Sequence, residues 1–168
     1  GWLQKNRKPA GSRDNLDKDG LVIYTTIDSR MQRYAEEAIF EHLGKDLQRS
    51  FMWELEQRDN APFMDDAPQE YADLVMSQAR KWSDRYRSLK ADGMSEREIL
   101  ASFDKITPMR VFAWNEKGYT DTLMPPNDSI RYSKSILRAA FYAIEPGTGH
   151  VKAYVGGPNY RYFKFDNC

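Results

Sequence analysis

The chain has 168 residues, 25 of them basic and 25 acidic, and its formal net charge is +0. This length supports one domain or two small lobes, and the balanced charge supplies no overall field for nucleic acid or an anionic membrane surface. No apolar run approaches the ~20 residues of a membrane span, no signal-peptide pattern is present, and the one cysteine, Cys168, leaves no internal disulfide to form.

Leu21, Ile23 and Thr25 alternate with Val22, Tyr24 and Thr26, which predicts a strand over residues 21–27. Asp28 or Ser29 then caps a helix, because a short side-chain oxygen accepts a bond from an unpaired first-turn N–H. The apolar stripe of this helix is Met31, Tyr34, Ala35, Ala38, Ile39 and His42/Leu43, and Leu47, Phe51 and Leu55 carry it on to about Gln57. Gly44 costs about 1 kcal/mol relative to alanine inside a helix, so a bend or break there stays open. Residues 59–68, with Asn60, Pro62, Asp65, Asp66 and Pro68, have loop chemistry.

A second helix opens near Gln69, with Tyr71, Leu74, Val75, Gln78/Ala79, Trp82, Tyr86 and Leu89 on its expected buried face, and Gly93 closes it. Ser95 and Glu98 form a capping box for a short helix to about Phe103. Residues 109–114 and 119–124 predict two strands around an Asn115–Gly118 turn. Pro125 and Pro126 stop the second strand, and Asn127 or Asp128 caps a helix from about Ser129 to Leu137, with Ile130, Lys134 and Leu137 on one side. The stretch AAFYAIEPGTGHVKAYVGG, residues 139–157, alternates at period two on both sides of a Pro-Gly-Thr-Gly turn, the signature of a β-hairpin. The fold class is therefore α+β, with long amphipathic helices packed with short antiparallel strands and hairpins.

Two of these stretches are more particular than their patterns require. G-L-x-I-Y-T-T-I-D at residues 20–28, followed by Q-x-x-A-E-x-A at 32–38, resembles the start of the transpeptidase region of class A penicillin-binding proteins. These are the membrane-anchored enzymes that build bacterial peptidoglycan. The 139–157 hairpin with its terminal V-G-G is similar to the opening of that family's transpeptidase sheet. The segment YRYFKFD, residues 160–166, is similar to the aromatic run that leads on to the catalytic Ser-x-x-Lys, and the chain stops at Cys168 before any such tetrad.

The resemblance implies three parts. Residues 1–40 are a linker strand and the start of a long helix, 41–138 an inserted, mainly helical lobe with a hairpin, and 139–168 the incomplete first hairpin of the transpeptidase sheet. It also implies a parent that is a bifunctional peptidoglycan glycosyltransferase and D,D-transpeptidase, anchored at the periplasmic, extracytoplasmic face of the bacterial inner membrane. The expected partners are the parent's own glycosyltransferase and transpeptidase domains, then peptidoglycan, cell-wall regulators, or a second copy through the exposed hairpin. Nucleic acid is not among them.

The residues themselves assign no catalytic, cofactor or metal site. Ser102–Lys105 (SFDK) is a literal Ser-x-x-Lys, and a serine and a lysine one turn apart share a helix face. It sits at the end of a short helix, before the family-like hairpin instead of after it, and the family's Ser-x-Asn and Lys-Thr/Ser-Gly landmarks are absent. A surface hydroxyl is the expected role. His42 and His150 have no second ligand at metal spacing. Glu36/Glu37 and Asp65/Asp66 are sequence neighbours without a partner group, and Glu36 and Glu37 point about 100° apart on a helix. Arg80, Lys81, Arg85 and Arg87, interleaved with Asp84, read as a solvated face. Trp82 and Tyr86 lie at core spacing, whereas Trp53, Phe63 and Trp114 leave an exposed patch open.

The leading expectation is a non-catalytic structural or interaction segment of the parent enzyme. The alternatives are serine acyl transfer through Ser102 and Lys105, or a free-standing binding module. Structurally, residues 21–27 and the 109–124 hairpin should form a small antiparallel sheet on the long helix, with Leu43, Leu47, Leu74, Val75, Trp82 and Val111 mostly buried. The 139–155 hairpin should dock on that sheet or pair with another chain, because an unpaired edge invites a strand.

Overall fold

The computed structural model describes Lys5, Asn15 and residues 18–168, so Gly1 lies outside the described residues. The architecture is α+β, with helices and two separate two-stranded antiparallel sheets. Helix α1 (Ser29–Ala38) runs directly into a π-helical segment (Ile39–Leu47) and then into α2 (Gln48–Leu55). There follow α3 (Gln69–Trp82), α4 (Asp84–Ala91), α5 (Glu96–Ser102), β1 (Thr107–Phe112), β2 (Tyr119–Met124), α6 (Pro126–Lys134), β3 (Phe141–Ile144) and β4 (Val151–Val155). No helix among the described residues is long and apolar enough to cross a membrane.

Local rules set most of the boundaries. The Asp28 carboxylate accepts from the N–H groups of Arg30 and Met31 at 2.9 and 3.1 Å, satisfying two donors that α1 cannot. Ser95 and Glu98 make the reciprocal capping box of α5. Gly93, at φ +82°, turns the chain so that the Met94 N–H reaches the Leu89 carbonyl at 3.1 Å. The first hairpin pairs Met109 with Thr122 and Phe112 with Tyr119 across the expected turn, and β1 begins two residues early, at Thr107.

Several expectations are corrected. The helix opening at Gln69 is not continuous, because Ser83 adopts ψ 147° and ends α3. Its hydroxyl donates to the Arg80 carbonyl at 2.6 Å and accepts from the Tyr86 N–H at 3.2 Å, so it closes one helix and caps the next. This break resets the helical period. Tyr86 is buried, but Trp82 is 76% exposed. On α3 it is Ala72 and Met76 that face the interior, while Tyr71 and Leu74 project into solvent. Of the six residues expected to be buried, Val111 is, Leu43 and Val75 are half-buried, and Leu47, Leu74 and Trp82 are exposed.

Residues 21–27 form no strand, and Val22, Ile23 and Tyr24 are exposed. A β-prone sequence still needs a ladder and a face to bury, and here the contact is edge-on. The Thr26 hydroxyl donates to the Val151 carbonyl at 2.7 Å and the Asp28 N–H to the Lys152 carbonyl at 2.9 Å, alongside β4 and away from the first hairpin. Helix α6 starts at Pro126, because proline lacks only an N–H that the first turn leaves unpaired anyway. Asn127 therefore does not cap it. Its amide donates to Asp104 at 2.7 Å and accepts from Arg80 at 3.3 Å, tying α3 and α6 to the turn after α5.

The interior is divided among three small clusters. Phe63, Ala72 and Met76 form one, and Tyr86, Ile99 and Phe103 a second, with the half-buried Ile130 of α6 packed against both. Phe112, Ile136 and Phe163 form the third, under the first hairpin. The 139–155 hairpin lies on α1 through β4, not on the β1–β2 sheet.

The Asp28 cap gives a pH prediction. Hydrogen bonds from the Met31 and Arg30 N–H groups hold its carboxyl below the ordinary aspartate range. A folded pKa below the unfolded one adds stability above the unfolded value, and that stability is lost as pH falls through the folded one. Protection factors of the first-turn amides of α1, taken relative to the intrinsic exchange rate at each pH, should therefore fall on acidification, and Asp28→Asn should flatten that dependence. An unchanged pH profile in that variant would contradict the assignment.

Candidate functional site

The helical lobe and the long N-terminal helix meet at Gln48. Its side chain is buried, at 6% exposure, an unusual position for a neutral amide unless its bonds are met. They are met from three directions. Nε2 donates to the Ser135 carbonyl at 2.8 Å, while Oε1 accepts from the Leu137 N–H at 2.8 Å and from the Trp114 indole at 3.3 Å. One side chain on α2 thus holds the segment after α6, which leads into β3, and the residue beyond β1.

Gly44 makes this approach possible. A Cβ on Gly44 would lie 2.6 Å from the Trp114 ring, closer than carbon atoms pack. Trp114 also stacks edge-on against Phe112 at 5.1 Å and leans on Phe40 at 6.3 Å, so the π-helical segment is clamped against the third cluster. Tyr132 donates to the Phe112 carbonyl at 2.8 Å, and burial pushes its phenol above the ordinary tyrosine range. The sequence marked Gly44 as a weak point in the helix and Trp114 as an unplaced aromatic. It carried no signal for Gln48, whose type reads as surface.

The opposite face of the same helix is open. Met31, Tyr34, Ile39 and Leu43 line an apolar groove of about 480 Å³ against Phe141 and Ala153 of the second hairpin, with His42 beside them. Gln32 closes the outer edge of β4 as a neighbouring strand would. Its amide accepts from the Tyr154 N–H at 2.8 Å and donates to the Tyr154 carbonyl at 2.9 Å. β3 has no ladder partner on its other side among the described residues, and Phe141, Tyr142 and Ile144 are exposed. Behind β4, the Tyr154 hydroxyl donates to Asp166, which raises the phenol and lowers the carboxyl from their ordinary ranges.

The candidates for chemistry do not converge. The Ser102 hydroxyl is buried, donates to the Ile99 carbonyl at 2.7 Å and accepts a long bond from Arg85 at 3.4 Å. Lys105 is exposed, and no hydrogen bond joins the two. Ser102 is thus not the surface hydroxyl expected from the sequence. No cluster of three His, Cys, Asp or Glu side chains able to hold a metal occurs among the described residues. Glu36 accepts from Gln32 at 2.7 Å and Glu37 pairs with Arg33 at 3.6 Å, so they face separate partners. Asp65, Asp66, His42 and His150 are exposed. In the basic run, Arg80 bonds Asn127, Arg85 bonds Ser102 and Arg87 pairs with Asp84. Of the unplaced aromatics, Phe63 is buried, Trp114 half-buried and Trp53 exposed.

Residues 58–137 match the family model described as the penicillin-binding protein middle domain. The match supports a penicillin-binding protein family. The matched stretch ends at Leu137, whose N–H the Gln48 amide holds. No curated protein and no solved structure matches the chain.

Two substitutions test the joint. Gln48→Ala leaves the Leu137 N–H and the Ser135 carbonyl without their partner, and should lower stability by about 1–3 kcal/mol in chemical denaturation. Gly44→Ala should also destabilise, by about 1–3 kcal/mol through overpacking against Trp114, although alanine is the better helix former. If Gly44→Ala were neutral or stabilising, the clamp would not exist in solution.

Proposed function

We propose that the chain is a non-catalytic structural and interaction segment of a bifunctional class A penicillin-binding protein, of the 1A type. It spaces the glycosyltransferase from the transpeptidase and presents the first hairpin of the transpeptidase sheet. The division into residues 1–40, 41–138 and 139–168 belongs to this reading, as do the parent's membrane anchor and extracytoplasmic location. What carries it is the coupling at Gln48. The lobe that matches the penicillin-binding middle domain is joined, through one buried amide, to the long helix whose start bears a class A-like motif, and that helix packs against the second hairpin.

In this reading the groove under α1 and the open edge of β3 receive the parent's transpeptidase domain, and the lobe's outer surface meets peptidoglycan or cell-wall regulators. A buried Ser102 bonded to a backbone carbonyl, with Lys105 turned to solvent, supports the non-catalytic assignment.

Fluorescent penicillin tests it. The chain should take up no covalent label, and Ser102→Ala should behave identically. Labelling that Ser102→Ala abolishes would overturn the proposal in favour of acyl transfer. The encoding gene separates it from a free-standing module, since a glycosyltransferase segment should lie upstream and a Ser-x-x-Lys soon downstream.

A further inference from the structure

Helix α3 carries an apolar stripe that no other described residue covers. Tyr71, Leu74 and Trp82 are 56%, 55% and 76% exposed. At 100° per residue they fall within roughly 80° of one another, about 120° around the helix from buried Ala72 and Met76. The stripe runs about 16 Å along the axis at 1.5 Å per residue. Tyr71 is held in place, because its ring stands edge-on to buried Phe63 at 6.4 Å. An exposed aromatic already ordered by the core gives up little freedom when a partner arrives.

Charge along the helix says what that partner is. Glu70 flanks the stripe at its N-terminal end and Lys81 at its C-terminal end, both on the same side of it. Neither Glu70 nor Lys81 enters an ion pair among the described residues. A uniformly anionic surface would attract one end and repel the other. A second copy of the same helix, laid antiparallel, matches both ends at once. With the two-fold axis at the level of Met76, Leu74 faces Gln78, and Trp82 and Lys81 of one copy come within one residue of the levels of Tyr71 and Glu70 of the other.

We infer that α3 is a self-association face, on which a second copy of this chain packs antiparallel through Tyr71, Leu74 and Trp82, with Glu70–Lys81 pairs at its two ends. A two-fold contact of this kind is isologous, so the same patch serves both partners. One helix face is small beside a standard interface, so the dimer is weak in free solution and gains from any tether that raises local concentration.

The test is sedimentation equilibrium of the chain at rising concentration, with far-UV circular dichroism to verify folding. The weight-average mass should climb from 19.6 kDa toward twice that value. Leu74→Asp should weaken association by roughly tenfold or more, since it places a charge at the centre of the contact. Glu70→Lys and Lys81→Glu should each weaken it, and the double variant should restore it. All of these side chains are exposed, so the fold is kept. A mass that stays monomeric throughout would overturn the proposal. So would a dimer unaffected by Leu74→Asp but abolished by Tyr142→Lys, which would belong to the open edge of β3.

Discussion

The structure depends on a single buried amide with fully directed bonds. An amide inside a protein is tolerated only when its donors and acceptor are used, because an unmet polar group costs more than a met one contributes. Gln48 meets this condition only if the segment after α6, the Trp114 indole and α2 all arrive together. No pair of them alone completes it. The three apolar clusters are small, and the third reaches this junction through Trp114 and Ile136. Directional bonding completes there what a continuous core does alone in a larger domain.

The π-helical segment belongs to the same constraint. One of its faces must let Trp114 approach to van der Waals distance, which Gly44 permits, while the other supplies Ile39 and Leu43 to the groove. π-helical stretches inside α-helices are rare and occur frequently at functional sites. Here the segment's neighbours are the lobe matching the penicillin-binding middle domain and the second hairpin. Any displacement of one is felt by the other through the same nine residues, Ile39–Leu47.

Much of this was legible in the sequence wherever a rule is local. The Asp28 cap, the Ser95–Glu98 box, the Gly93 terminus and both hairpin turns each need only a few neighbouring residues, and each stands where the pattern put it. The buried face of α3 was misread because Ser83 breaks the helix and restarts its period, so spacing counted across the break pointed Trp82 inward. Residues 21–27 were misread because strand propensity does not say whether a partner will be there. Gln48 was invisible for a related reason. A glutamine on a helix is buried only by what two distant segments do, at separations of 66 to 89 residues.

The claim that Gln48 makes one body of these parts is tested most directly by native-state hydrogen exchange at the Leu137 amide. This N–H has no helix or strand to protect it and bonds only the Gln48 carbonyl oxygen. If the joint is cooperative, it should exchange with the same opening free energy as the amides of residues 39–48 and of β1, as members of one unfolding unit. Exchange of Leu137 at the rate of an exposed loop, while the π segment and β1 stay protected, would contradict the account.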